Sequence, residues 1–201
     1  YLMARLSMFQ QVYFHKTGRA AEFMFKRALR RIADVMEDGG RVDPLPPVLE
    51  ALIRGEVPPL GDYLELDDVI MWSCLRGWAD SDDEVLARLA SGLLRRRLLR
   101  TLPLPREHEA VHRERRVIEL VRNATETAGY DPDYFCGLDR AVDVPYHVDP
   151  GSSERIWVLG SAKKIGPLAE ISPIVDVLRG WQVGRTLVIC PREARDVLLR
   201  E

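Results

Sequence analysis

The chain has few cysteines, almost no net charge and no long hydrophobic run. Cys74, Cys136 and Cys190 are odd in number, far apart and without CxxC spacing. That excludes a disulfide framework and a zinc finger, and it reads as reduced thiols of a cytoplasmic protein. A formal net charge of −2 over 201 residues excludes a global basic field, so any site for a polyanion has to be local. No apolar stretch approaches the roughly 20 residues a membrane helix needs, and nothing resembles a signal peptide. Internal repeats and low-complexity tracts are also missing. With 46% hydrophobic residues, the length suits one large domain or one domain plus a small one.

Helical periodicity dominates the first 130 residues. Leu2, Leu6, Phe9 and Tyr13 share one stripe, and Ala21, Phe25, Ala28, Leu29, Ile32 and Met36 continue it. One long helix or two abutting ones are expected, with Gly18 as the weak point and Gly39-Gly40 as the end. A segment rich in proline and glycine follows, from Pro44 to Gly61, and brackets a short helix near 46–54. Asp67 is the expected N-cap of a helix over 68–78, and Asp82 that of a helix over 83–100. A further helix is expected over about 106–128, closed by Gly129. After 130 the texture changes. The stretches 143–148, 155–160 and 185–190 read as strands, and 172–180 and 191–199 as helices with proline near the start. The expected fold is a mainly helical block, residues 1–130, followed by a small α/β block, residues 131–201.

The segment His108-Glu109-Ala110-Val111-His112 fits the zinc-protease pattern H-E-x-x-H. Its context does not. At about 100° per residue, Ala110, Val117, Val121, Ala124 and Ala128 form the core-facing stripe. His108 and His112 lie opposite, among Arg115, Glu119, Arg122 and Glu126, whose i,i+4 pairs mark a solvated face. Glu126 stands roughly 21 Å beyond His112 on the same helix and cannot be a third ligand. The motif is read as a chance match. Asp67-Asp68 is likewise read as a cap and not a metal pair. The GSAKKIG stretch at 160–166 lacks the order of a phosphate loop.

More informative is the opening, where Arg5, Tyr13, His15 and Lys16 stand among core-type residues. A guanidinium fork suits phosphate, and lysine supplies a point charge. The pattern R-x2-MF-x3-Y-x-HK-x-G (Arg5 to Gly18) is followed in order by YLELDD (63–68), R-x-LLR (Arg96 to Arg100), DPDYF (131–135), DVPY (143–146) and L-x-EISPIV (168–175). In this the chain resembles the C-terminal half of HD-superfamily phosphohydrolases of the dNTP triphosphohydrolase type. The resemblance implies hydrolysis of a dNTP at the α-phosphorus, by metal-activated water, to a deoxynucleoside and triphosphate. It implies Arg5 on the substrate phosphates and Tyr13 against the deoxyribose. It implies His15, Lys16, Arg96 and Arg100 near a regulatory (d)NTP. Phe14 stands where some members carry glutamine.

The metal in that family is held by a His, a His-Asp pair and a later Asp. This sequence has no His-Asp dipeptide, and the family places those ligands upstream of the matching region. The chain opens YLMARL, already in a helical pattern. The expectation is therefore a piece of a longer protein, partnered by an N-terminal HD portion and by copies of itself. It would carry pocket and interface residues but no catalytic or metal-ligating residue of its own, with a divalent metal in the parent. The alternative is a nucleotide- or nucleic-acid-binding regulatory module without catalysis, carried by Arg96 and Arg100. A zinc hydrolase through His108 and His112 ranks third.

Overall fold

A computed structural model describes residues 2–104, 110–143, 156–159, 165–179 and 183–199. The chain forms two compact units: residues 1–18 with 140–186, and residues 19–139 with 187–201. The change of texture at 130 is thus a change of element type, whereas compactness divides the chain elsewhere. The fold is mainly helical with a small α/β part, as the periodicity indicates.

The larger unit is built around α2, Lys16–Glu37. Its residues Ala20, Met24, Ala28 and Ile32 recur every fourth position and are all buried, so one stripe of the helix is the seed of the core. Against it pack Leu49 of α3 (Pro47–Ile53), Cys74, Leu75 and Trp78 of α5 (Asp68–Ala79), and Leu86, Leu89 and Ala90 of α6 (Glu84–Leu94). A short helix between them, α4 (Leu60–Glu65), starts after Pro59 and is not evident from the sequence pattern. Asp67 caps α5 as expected, its carboxylate accepting from the Ile70 amide at 2.9 Å. Helix α6 is capped by Asp83 and not by Asp82, through the Leu86 amide at 2.8 Å. The cap moves one residue because the Asp83 carboxylate is also held by Arg31 of α2, at 2.7 Å.

A second core lies where Val121 and Ala124 of α7 (Ala110–Thr127) meet Cys136, Val188, Cys190 and Ala194. The solvated face of α7 is exposed at Arg115, Glu119 and Glu126. Arg122, however, pairs with Asp133 at 2.7 Å and not with Glu126. Strands β1 (Arg100–Leu104), β5 (Val183–Cys190) and β2 (Gly137–Asp143) form one sheet in the order β1–β5–β2. Strand β2 precedes the strand expected over 143–148, of which residues 144–148 lie outside the described residues. Helix α8 (Pro132–Phe135) leads into β2, and α11 (Arg192–Leu198) follows β5. All three cysteines are free and buried. Burial raises their thiols, that of Cys190 to about 12, which keeps them protonated and inert at neutral pH.

The smaller unit holds α1 (Leu2–Met8), the antiparallel pair β3 (Trp157–Leu159) and β4 (Ile165–Pro167), α9 (Leu168–Ile171) and α10 (Pro173–Arg179). Leu2 of α1 and Leu168 pack on Ala169 and Val175. No helix among the described residues is long and apolar enough to cross a membrane.

Candidate functional site

The expected continuous helix at the start breaks at a different place and for a different reason than Gly18 suggested. After α1 the chain widens into a π-turn, Phe9–Tyr13. The Phe14 amide reaches back five residues to the Phe9 carbonyl at 2.8 Å. One extra residue per turn rotates everything that follows. On an α-helical stripe Tyr13 would be the buried position after Leu6. Here Phe14 takes it, 6% exposed, and Tyr13 is turned out, 53% exposed. π-Turns are often found at functional sites because they re-aim side chains in this way.

The turn assembles a ladder of three side chains. The Arg5 guanidinium lies 5.1 Å from the Phe9 ring centroid, and the Phe9 and Tyr13 rings are 4.9 Å apart. Phe9 also contacts Phe14, at 5.9 Å between centroids, and the Phe14 carbonyl accepts from Arg185. Phe9 is thereby gripped from both sides. It is the member of the ladder that its sequence spacing, typical of core, did not single out. Stacking on Phe9 fixes the plane of the Arg5 guanidinium. The outward face of Tyr13 suits an apolar sugar surface. Phe14, which stands where some members of the resembled family carry glutamine, is thus buried.

His15 and Lys16 are exposed at the start of α2. The His15 Nδ1 accepts from the Thr17 amide at 3.3 Å, so in the neutral ring Nε2 carries the proton and is free to donate. The first turn of α2 has no acidic residue. Two basic side chains therefore sit where the helix dipole already favours an anion.

Arg96 and Arg100 belong to the other unit, and they do not share a helix. The expected helix over 83–100 stops at Leu94. Arg97 donates its amide to the Gly92 carbonyl at 2.8 Å, and Arg96 adopts φ +54°. This is the left-handed C-terminal position that glycine fills at Gly39 and Gly129, where φ is +80°. Arg100 then opens β1. Both arginines are exposed. An arginine held in a conformation that favours glycine costs stability and points to a use for its side chain. Arg96→Gly is expected to raise the unfolding free energy by about 0.5–1 kcal/mol, which urea titration measures.

His108 and Glu109 lie outside the described residues, as does the side chain of His112. Residues 160–164 of the GSAKKIG stretch also lie outside them. Among the described residues no three His, Cys, Asp or Glu side chains come together to hold a metal. The metal implied by the resemblance thus finds no ligand set among them.

No protein-family model matches the chain. In sequence it is 29% identical over 185 residues to an uncharacterized protein, YwfO, of Bacillus subtilis (strain 168), covering 90% of this chain and 41% of YwfO. In fold it is similar to a phosphohydrolase from Bacteroides thetaiotaomicron VPI-5482, with a TM-score of 0.69 and 23% identity. That likeness covers 95% of this chain and 49% of the other, and it establishes the shared fold. The chain spans less than half the length of each of these two proteins.

Proposed function

We propose that the chain is the C-terminal portion of a metal-dependent HD-type deoxynucleoside triphosphate triphosphohydrolase. In this reading it supplies one wall of the substrate pocket and the residues that bind a regulatory nucleotide. The observation that carries the reading is the Arg5–Phe9–Tyr13 ladder. It offers a planar guanidinium fork and a half-exposed ring about two helical turns apart, bridged by Phe9, in a fold similar to that of a phosphohydrolase. Fold likeness alone would not carry a function; the ladder gives it a site.

The work of this chain is binding and orientation. Arg5 holds the triphosphate oxygens through paired hydrogen bonds, and Tyr13 lies against the deoxyribose, so the α-phosphorus is presented in one attitude. His15 and Lys16 in one unit, and Arg96 and Arg100 in the other, each take phosphates of a regulatory (d)NTP. The divalent metal belongs to the upstream HD portion, where it would activate water and neutralise phosphate charge. Exposed apolar residues on the connection after α3, on α4 and on the start of α5, namely Val57, Leu60, Leu64, Val69 and Trp72, support a surface covered by that portion or by another subunit.

The test compares this chain with the full-length parent in a dGTP-hydrolysis assay and a metal analysis. The parent is expected to bind divalent metal and turn over, and the chain alone to do neither. Arg5→Ala in the parent is expected to lower kcat/KM about 100-fold, the scale of one well-placed charge-stabilising group. Unchanged turnover in that variant would sink the pocket assignment. Salt-sensitive nucleotide binding by a parent that never turns over would favour the binding module instead. Stoichiometric zinc in this chain alone would return attention to His108 and His112.

A further inference from the structure

Helix α4 buries none of its residues; all six are exposed. Leu60, Tyr63 and Leu64 stand at i, i+3 and i+4, so the helix has an apolar stripe with nothing packed on it. A helix this short has little stability of its own and ordinarily gains it by burying such a stripe. Helix α5 continues the surface. Its inner side enters the core through Cys74, Leu75 and Trp78, yet Val69 and Trp72 are 73% and 52% exposed. A helix apolar on both sides has the pattern of a buried helix. Val57, on the connection just before α4, is also exposed.

The charges of this surface have one sign. Glu56, Asp62, Glu65, Asp67 and Asp68 are exposed, and residues 55–75 contain no lysine or arginine. Asp67 caps α5, and none of the five is ion-paired among the described residues. Arg54, just before them, is paired with Glu50.

The surface defines what fits it. Between α3 and α6 there is no strand whose edge an extended peptide could join. An incoming element therefore has to bring its backbone hydrogen bonds already satisfied, as a helix does. The carboxylates call for Lys or Arg beside its apolar stripe. They also oppose a symmetric dimer through this face, which would set the same carboxylates against one another. An apolar centre with a charged rim is the make-up of an interface between chains that are soluble apart, whereas permanent cover resembles a core cut in half.

We propose that the α4–α5 surface docks a basic amphipathic helix of a separate protein. Its apolar stripe lies on Leu60, Leu64, Val69 and Trp72, and its Lys or Arg side chains lie against Glu56, Asp62, Glu65 and Asp68. None of Arg5, Tyr13, His15, Lys16, Arg96 or Arg100 takes part, so this surface stands or falls apart from the pocket described above.

The test titrates the full-length parent, with the 201-residue chain beside it, using a synthetic helix of leucine and lysine at amphipathic spacing, roughly 18 residues long. One control peptide has glutamate for lysine, and another has the Leu/Lys order scrambled so that no stripe forms. Anisotropy of the labelled peptide gives the affinity. Emission of Trp72, obtained by difference against Trp72→Phe, is expected to shift to the blue as the ring is covered. Parent and chain are both expected to bind the Leu/Lys helix at least tenfold more tightly than either control. Leu64→Asp, on an exposed side chain that the fold does not depend on, is expected to weaken binding at least tenfold, about 1.4 kcal/mol. Glu65→Lys is expected to weaken it severalfold and to lessen its dependence on salt. Arg5→Ala is expected to leave it unchanged. Binding by the chain but not by the parent would make the upstream portion the occupant. Dimers of the parent in light scattering that Leu64→Asp abolishes would make it a second copy. Either result overturns the proposal, as does absence of binding, equal binding of a control peptide, or binding undiminished in Leu64→Asp.

Discussion

Trp78→Ala is expected to destabilise the larger unit by about 3–5 kcal/mol, the usual range for removing a fully buried indole. Trp78 has no exposed surface and is the largest of the fully buried side chains. It sits on α5 where α2, α3 and α6 converge, so no single neighbour can collapse into the space it leaves. Its indole Nε1 donates to the Pro44 carbonyl at 2.8 Å, which ties the proline-rich connection to the core. Alanine removes both the volume and that donor, leaving a carbonyl without its partner. Trp78→Phe separates the two: it keeps most of the volume and costs about 1–3 kcal/mol for the lost hydrogen bond and imperfect fit. Urea unfolding followed by far-UV circular dichroism measures both. A loss below 1 kcal/mol for the alanine variant would contradict the packing described.

Asp83→Ala carries the second large effect, about 2–4 kcal/mol at neutral pH, combining a lost cap with a broken, mostly buried ion pair. The Asp83 carboxylate accepts from the Arg31 Nε and Nη2 and from the Leu86 amide. Arg31 in turn donates to the Tyr134 hydroxyl, which donates to Asp34. Burial by itself would raise the Asp83 carboxyl. The Arg31 hydrogen bonds, the Leu86 amide and the Arg31 charge outweigh it and hold the group below its ordinary value. A group depressed in the folded state stabilises fully above its unfolded pKa, about 3.9 for aspartate, and loses that contribution as pH falls through the folded value. The gap between wild type and Asp83→Ala is thus expected to be full at pH 7 and to shrink below about pH 4. Denaturant titrations at pH 7 and pH 3 would show it. A gap that stays constant would mean that Asp83 acts through its shape and not its charge.

Much of the fold was open to a reader of the sequence, because much of it is local. The spacing of Ala21, Phe25, Ala28, Leu29, Ile32 and Met36 is enough to predict the helix, although the fully buried stripe includes Ala20 and Met24 beside Ala28 and Ile32. Gly39 and Gly129 end their helices with the φ only glycine adopts freely, and Asp67 caps the helix it precedes. The candidate site was legible by residue type: Arg5, Tyr13, His15 and Lys16 stand out as polar groups in an apolar, aromatic stretch.

The tertiary structure decided what local chemistry leaves degenerate. Asp82 and Asp83 are equal as caps, and only Arg31, 52 residues away, chooses between them. The RRRLLR stretch has good helical propensity to Arg100. The helix nevertheless stops at Leu94, because Leu98 and Leu99 pack on the α2 core and β1 must begin at Arg100 to join the sheet. Arg96 bears the cost in its left-handed φ. The π-turn at Phe9–Tyr13 has no compositional signature, since it differs from α-helix by a single residue. Burial of Phe14 in place of Tyr13 sets the register there, and only that choice stacks Arg5, Phe9 and Tyr13 into one surface. Residue types are written along the chain, but which of them face outward together depends on contacts between distant segments, and those exist only once the chain has folded.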